Sequence, residues 1–98
     1  MTFSQGAAMP IISVFFGIII RINFRDHAPP HIHAEYQNDE ALFDIRTGDL
    51  IEGRLPRSAR RIVREWMSLH GEELMRNWDL AVSMRPTFQI PGLDHDED

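Results

Sequence analysis

The chain contains no cysteine. That excludes disulfides, a thiolate nucleophile and every cysteine-ligated zinc site. A membrane-spanning run is missing too. The main apolar stretch, residues 9–20, is about a dozen residues long and Arg21 ends it, whereas a span needs roughly 20. No basic residue precedes that stretch, so it lacks the n-region of a secretory signal. A cytoplasmic location, with no membrane partner, is the expectation that follows. Positive charge is not in excess. The formal net charge is −5, which argues against a chain whose main task is gripping phosphate backbones, although a local basic patch survives such a balance. There is no glycine-rich phosphate loop. No serine sits in a strained elbow, since Ser58 and Ser68 fall in helical sequence.

What is present suits one soluble domain. With 98 residues, 43% hydrophobic and 26% charged, the chain can bury a core without covalent staples. Residues 1–8 show neither period nor turn chemistry and read as a disordered leader. Met9 is then an alternative start to Met1. Residues 10–14 and 17–25 are rich in Ile, Val and Phe, as strands are, with Gly17 at the turn between them. The first of these strands is either core or an edge through which two copies pair as a homodimer. Further strands are expected over 31–37, 40–46 and 50–53, separated by turn residues at Asn38-Asp39 and Thr47-Gly48-Asp49. Connections this short favour an antiparallel meander.

Pro56 opens a helix whose apolar stripe is Ala59, Ile62, Val63, Trp66, Met67 and His70. His70-Gly71 marks a break, after which Glu72-Glu73 suit a new first turn. Leu74, Met75, Trp78, Ala81 and Val82 continue the pattern until Pro86. Both tryptophans are assigned to the core. The fold class is therefore α+β: a meander of four or five antiparallel strands, then one kinked helix or two helices packed on one sheet face. The domain is placed at residues 9–86, with 87–98 as an acidic flexible tail that contains His95.

Chemistry concentrates in Asp26-His27-Ala28-Pro29-Pro30-His31-Ile32-His33-Ala34-Glu35-Tyr36, which holds three of the five histidines. The proline pair fixes two φ angles and removes two donors, so the stretch enters as a rigid loop. Beyond it the alternation places His31, His33 and Glu35 on one strand face, read as open, and Ile32, Ala34 and Tyr36 on the other. Imidazoles completed by carboxylates form metal sites. His31, His33 and Glu35, with His27 or Asp26 curling in from the loop, are candidate ligands for zinc, iron or manganese. A cupin pattern is set aside, because Asn38 stands where its carboxylate belongs and Glu40 comes two residues late.

The same face offers acid–base chemistry. His27, His31, His33 and Glu35, with Arg21 or Arg25 holding an anion, resemble the equipment of small metal-free ribonucleases, which makes RNA a candidate substrate. Asp44 and Arg46 belong to that face, and cross-strand charge pairing alone also accounts for it. A third feature is Arg54, Arg57, Arg60, Arg61 and Arg64, near a helix N-terminus. It reads as a solvated face or as a docking surface for an acidic partner or nucleic acid.

Met9-Pro10, Ile12-Ser13, Phe16-Gly17-Ile18, the central Asp26 to Tyr36 motif, Leu55-Pro56-Arg57, Glu65-Trp66 and Asn77-Trp78 resemble a family of small bacterial proteins. The family is catalogued as domain of unknown function 4160, and the likeness covers about residues 9–84. It implies a start at Met9 and importance for His27, His31 and His33. Members are often encoded beside a second small protein, which implies a small protein partner in a toxin–antitoxin-like module. The leading expectation is therefore a cytoplasmic member of such a two-protein module, acting by protein contact through its His/Arg face. The alternatives are a ribonuclease-like or metal-dependent hydrolase using the histidine cluster, and a plain metal-binding module.

Overall fold

Residues 9–95 are described by the computed structural model; the expected leader at 1–8 and the last three residues lie outside them. Five strands come first: β1 (Ile11–Phe15), β2 (Ile18–Arg21), β3 (His31–Tyr36), β4 (Asp39–Asp44) and β5 (Leu50–Gly53). Two helices follow, α1 (Arg57–Leu69) and α2 (Gly71–Val82), and a short 3-10 turn, Leu93–His95. The strands lie in sequence order in a single antiparallel sheet. Local chemistry sets this meander. Phe16 and Gly17 take φ of 52° and 77°, a two-residue turn whose twist matches its flanking strands. At the third hairpin the Asp44 carboxylate accepts the amides of Arg46 and Thr47 at 2.8 and 3.2 Å, and Gly48 adopts φ 79°.

Register fixes the two faces. Ile18, Ile20, Ile32, Ala34, Ala41 and Phe43 share the inner face and are buried with Val63, Trp66, Leu74 and Trp78 of the helices. Each fully buried Ile, Val, Leu or Phe side chain among them contributes roughly 1.5–3 kcal/mol. The Phe15 and Trp66 rings meet at 4.9 Å between centroids. The outer face carries Ile19, Arg21, His33, Glu35, Glu40 and Leu42. β2 is shorter than the expected segment, because the chain leaves the sheet after Arg21.

The helices are two. His70 leaves helical geometry at φ −125°, ψ 26°, and its carbonyl accepts the Leu74 amide at 2.9 Å. Glu72 and Glu73 occupy the first turn of α2, where the helix dipole favours them, and His70 Nδ1 bonds the Glu73 carboxylate.

The expected flexible tail is not observed over 87–93. Asn77 donates to the Phe88 carbonyl and accepts its amide, both at 2.9 Å. Trp66 Nε1 donates to the Pro91 carbonyl at 2.8 Å, and the Ile90 amide donates to Ile12 at 2.8 Å. Phe88, Ile90 and Leu93 pack on the core, so the acidic composition that suggested disorder is confined to the residues after them. Residues 89 and 90 thus occupy part of the β1 backbone edge. Among the described residues no helix is long and apolar enough to cross a membrane.

Asn77 is fully buried, so Asn77→Ala leaves the Phe88 amide and carbonyl without their partner. Urea denaturation of this variant is expected to show a loss of about 1–3 kcal/mol. An unchanged unfolding midpoint contradicts the packed C-terminal segment.

Candidate metal centre

Between β2 and β3 the chain makes a nine-residue excursion, residues 22–30, over the start of β3. Backbone bonds hold it at three places. The Ile22 amide reaches the Pro10 carbonyl at 3.2 Å, the Arg25 amide reaches Ala81 at 3.1 Å, and the Ile45 amide reaches Pro30 at 2.9 Å. Arg25 takes φ 58° there, and the Ala28–Pro29 peptide is cis. The loop aims Asp26 at the sheet. Asp26 Oδ1 accepts the His27 amide at 2.8 Å, and Oδ2 accepts Asn23 Nδ2 at 3.2 Å.

Beneath Asp26 lie the imidazoles of His31 and His33, only 6% and 8% exposed. His31 Nδ1 is 2.7 Å from the Pro29 carbonyl, which only accepts, so this nitrogen carries a proton. His31 Nε2 is 2.9 Å from Asp26 Oδ2. His33 repeats the pattern, with Nδ1 3.1 Å from Glu40 Oε2 and Nε2 3.4 Å from the same Asp26 oxygen. The two rings lie 5.2 Å apart, and the His31 ring is 5.3 Å from that of Trp78. Both Nδ1 atoms are therefore held from behind by acceptors, while both Nε2 atoms and one carboxylate oxygen converge. With protons on Nδ1, the Nε2 lone pairs and Asp26 Oδ2 need a cation between them, either protons or a metal. Ligands about 2.1 Å from one metal stand roughly 3.0–3.4 Å apart in octahedral or tetrahedral geometry. The two separations from Asp26 Oδ2, 2.9 and 3.4 Å, match that spacing, and the three ligand atoms all lie within 4.8 Å of one another.

Burial pushes the Asp26 carboxyl up, but the His27 amide, hydrogen bonds from His33 and Asn23, and the charge of His31 together outweigh it. The net effect holds the group below its ordinary value, so Asp26 is an anion poised to meet a cation.

Several expectations change. The histidine face is not open, because the loop covers it. Glu35, a candidate ligand and acid–base residue, is outside the converging set: it accepts from Arg21 Nε at 3.0 Å, and Arg21 Nη1 donates to the Met9 carbonyl at 3.0 Å. Arg21 is thereby occupied rather than free for an anion. His27 and Arg25 are exposed and outside the converging set, which is Asp26, His31 and His33. Glu40, passed over for its spacing along the chain, reaches His33 across the hairpin. Pairing of Tyr36 with Asp39 puts His33 opposite Leu42, so Glu40 is its diagonal neighbour on the same face. That register was recoverable once the turn at 37–38 was placed. Over the centre lies a cleft of ≈ 270 Å³, walled by His27 and Pro29 on the loop side and by Leu42, Ile51 and Glu52 on the sheet side.

A family model described as Domain of unknown function (DUF4160) matches residues 17–79, more than half of the chain and the whole of the centre. The chain belongs to that family. No curated protein and no solved structure matches it.

Because its folded value is lowered, Asp26 adds stability to the metal-free protein above its unfolded value of about 3.9. That contribution disappears as pH falls through the lower folded value. Urea midpoints across an acid series should show Asp26→Asn weaker than wild type near neutrality, the gap closing at low pH. A gap that widens on acidification contradicts this arrangement.

Proposed function

We propose that this family member is a metal-dependent hydrolase whose divalent ion is held by Asp26 Oδ2, His31 Nε2 and His33 Nε2. One observation carries the reading: three donor atoms converge while acceptors hold the far side of both imidazoles. Carbonyl–histidine and carboxylate–histidine pairs of this kind fix the tautomer and aim Nε2 at a metal. Two imidazoles and one carboxylate suit zinc or ferrous iron and leave coordination positions open. The three residues that would hold the ion line the cleft, where a bound ion of this type would acidify a water to serve as nucleophile. The protein's own part is to hold two neutral imidazoles and one anion rigidly, half-shielded from water. Metal-free acid–base catalysis is less well supported, since every ring nitrogen of His31 and His33 already faces an acceptor.

A second reading rests on α1. Residues 54–64 hold five arginines and no acid, and Arg57, Arg60 and Arg61 form no ion pair among the described residues. This face suits an acidic protein partner, the arrangement that a two-protein, toxin–antitoxin-like module needs. Such an association weakens with salt, and an affinity equal at low and high salt contradicts it.

Inductively coupled plasma mass spectrometry on untagged protein is expected to find one zinc or iron per chain, lost in His31→Ala/His33→Ala. Glu40→Gln should weaken metal affinity roughly 10- to 100-fold, whereas Glu35→Gln, which touches only Arg21, should not. Equal metal content in wild type and the double histidine variant contradicts the assignment.

A further inference from the structure

The cleft above the metal centre has a charge pattern that narrows its ligand. The chain has ten basic side chains, all arginine, yet none lines this cleft. The nearest arginine in register, Arg21, pairs with His33 across β2 and β3 but is consumed by Glu35 and the Met9 carbonyl. Besides its three histidines, the ionic groups that line the cleft are Asp26, which the proposed ion takes, and Glu52 at the far wall, the one carboxylate left to face a ligand. Glu52 is exposed and makes no hydrogen bond or ion pair among the described residues.

Sheet register gives the geometry. His33 pairs with Leu42, and Leu42 pairs with Glu52, so the three form one row on the outer face. With strands about 4.8 Å apart, Glu52 sits roughly 10 Å from His33 along that row. The surface between them is apolar, formed by Leu42 with Ile51 beside it. An anion placed at the far end of this row meets Glu52 with no arginine to offset it. An aliphatic amine is complementary at each point along the row.

We propose that the cleft selects ligands of that kind: a head group on the metal, an alkyl stem across Leu42 and Ile51, and an ammonium group at Glu52. Glu52 is then the specificity-determining residue, and it disfavours ligands that carry an anionic group at that end. The inference rests on the metal reading above and names its substrate class.

The test uses full-length protein loaded with cobalt(II), whose visible absorption reports ligands entering its coordination sphere. Two hydroxamates are titrated, identical except that one ends in an ammonium group and the other in a methyl group. Inorganic phosphate is the third probe. Wild type is expected to bind the ammonium compound about 1.5- to 5-fold more tightly, the range for one exposed ion pair. Glu52→Gln should abolish that preference, leave the methyl compound unchanged and tighten phosphate. Equal affinities for the two hydroxamates in wild type, or a preference that survives Glu52→Gln, overturn the inference while the cobalt spectrum keeps the metal site. Failure to bind cobalt at all overturns the metal reading, and this inference with it.

Discussion

Asp26 Oδ2 faces both histidine Nε2 atoms, at 2.9 and 3.4 Å, while accepting a bond from Asn23. Much of the local structure serves to hold this oxygen in place. Asp26 is on a loop, and an anion over two imidazoles needs its backbone fixed. The Pro10, Ala81 and Pro30 carbonyls do this by taking the amides of Ile22, Arg25 and Ile45. Those bonds tie the loop to the residue before β1, to α2 and to the end of β4. Sheet, helix and centre are thus mechanically one unit.

The division of the sheet into two faces explains how a small domain supports both a core and a polar centre. Helices cover the inner face, with Trp66 and Trp78 both buried against it. Among the described residues no helix lies over the outer face, and the loop covers His31 and His33 there. Trp78 serves both sides, packed with the core and 5.3 Å from the His31 ring. Charge is divided in the same way. Five arginines cluster on residues 54–64, whereas the cleft over the centre has none in its lining. On the reading proposed above, the centre and the arginine surface give a substrate and a protein partner different places to bind.

The strands, their order and the helix break at His70-Gly71 were legible in the sequence, because alternation, turn residues and the helical stripe all agreed. The concentration of chemistry between residues 26 and 33 was legible for the same local reasons. What the sequence concealed was non-local. Strand periodicity put Glu35 beside the histidines, but it says nothing about Arg21, which captures Glu35 from the neighbouring strand. Glu40 looked misplaced along the chain and is adjacent across the hairpin. Phe88 and Ile90 were overshadowed by the acids that follow them, and their partners, Asn77 and Ile12, lie far away in sequence.

The central claim is that two imidazoles and one carboxylate share an ion. X-ray absorption at the K-edge of the bound zinc or iron tests it most directly, because imidazole rings give a distinctive outer-shell scattering pattern. The account predicts two imidazoles per ion, with a first shell of nitrogen and oxygen near about 2.0–2.1 Å. An all-oxygen shell without imidazole scattering would contradict it. In that case Asp26, His31 and His33 form a proton-linked structural cluster.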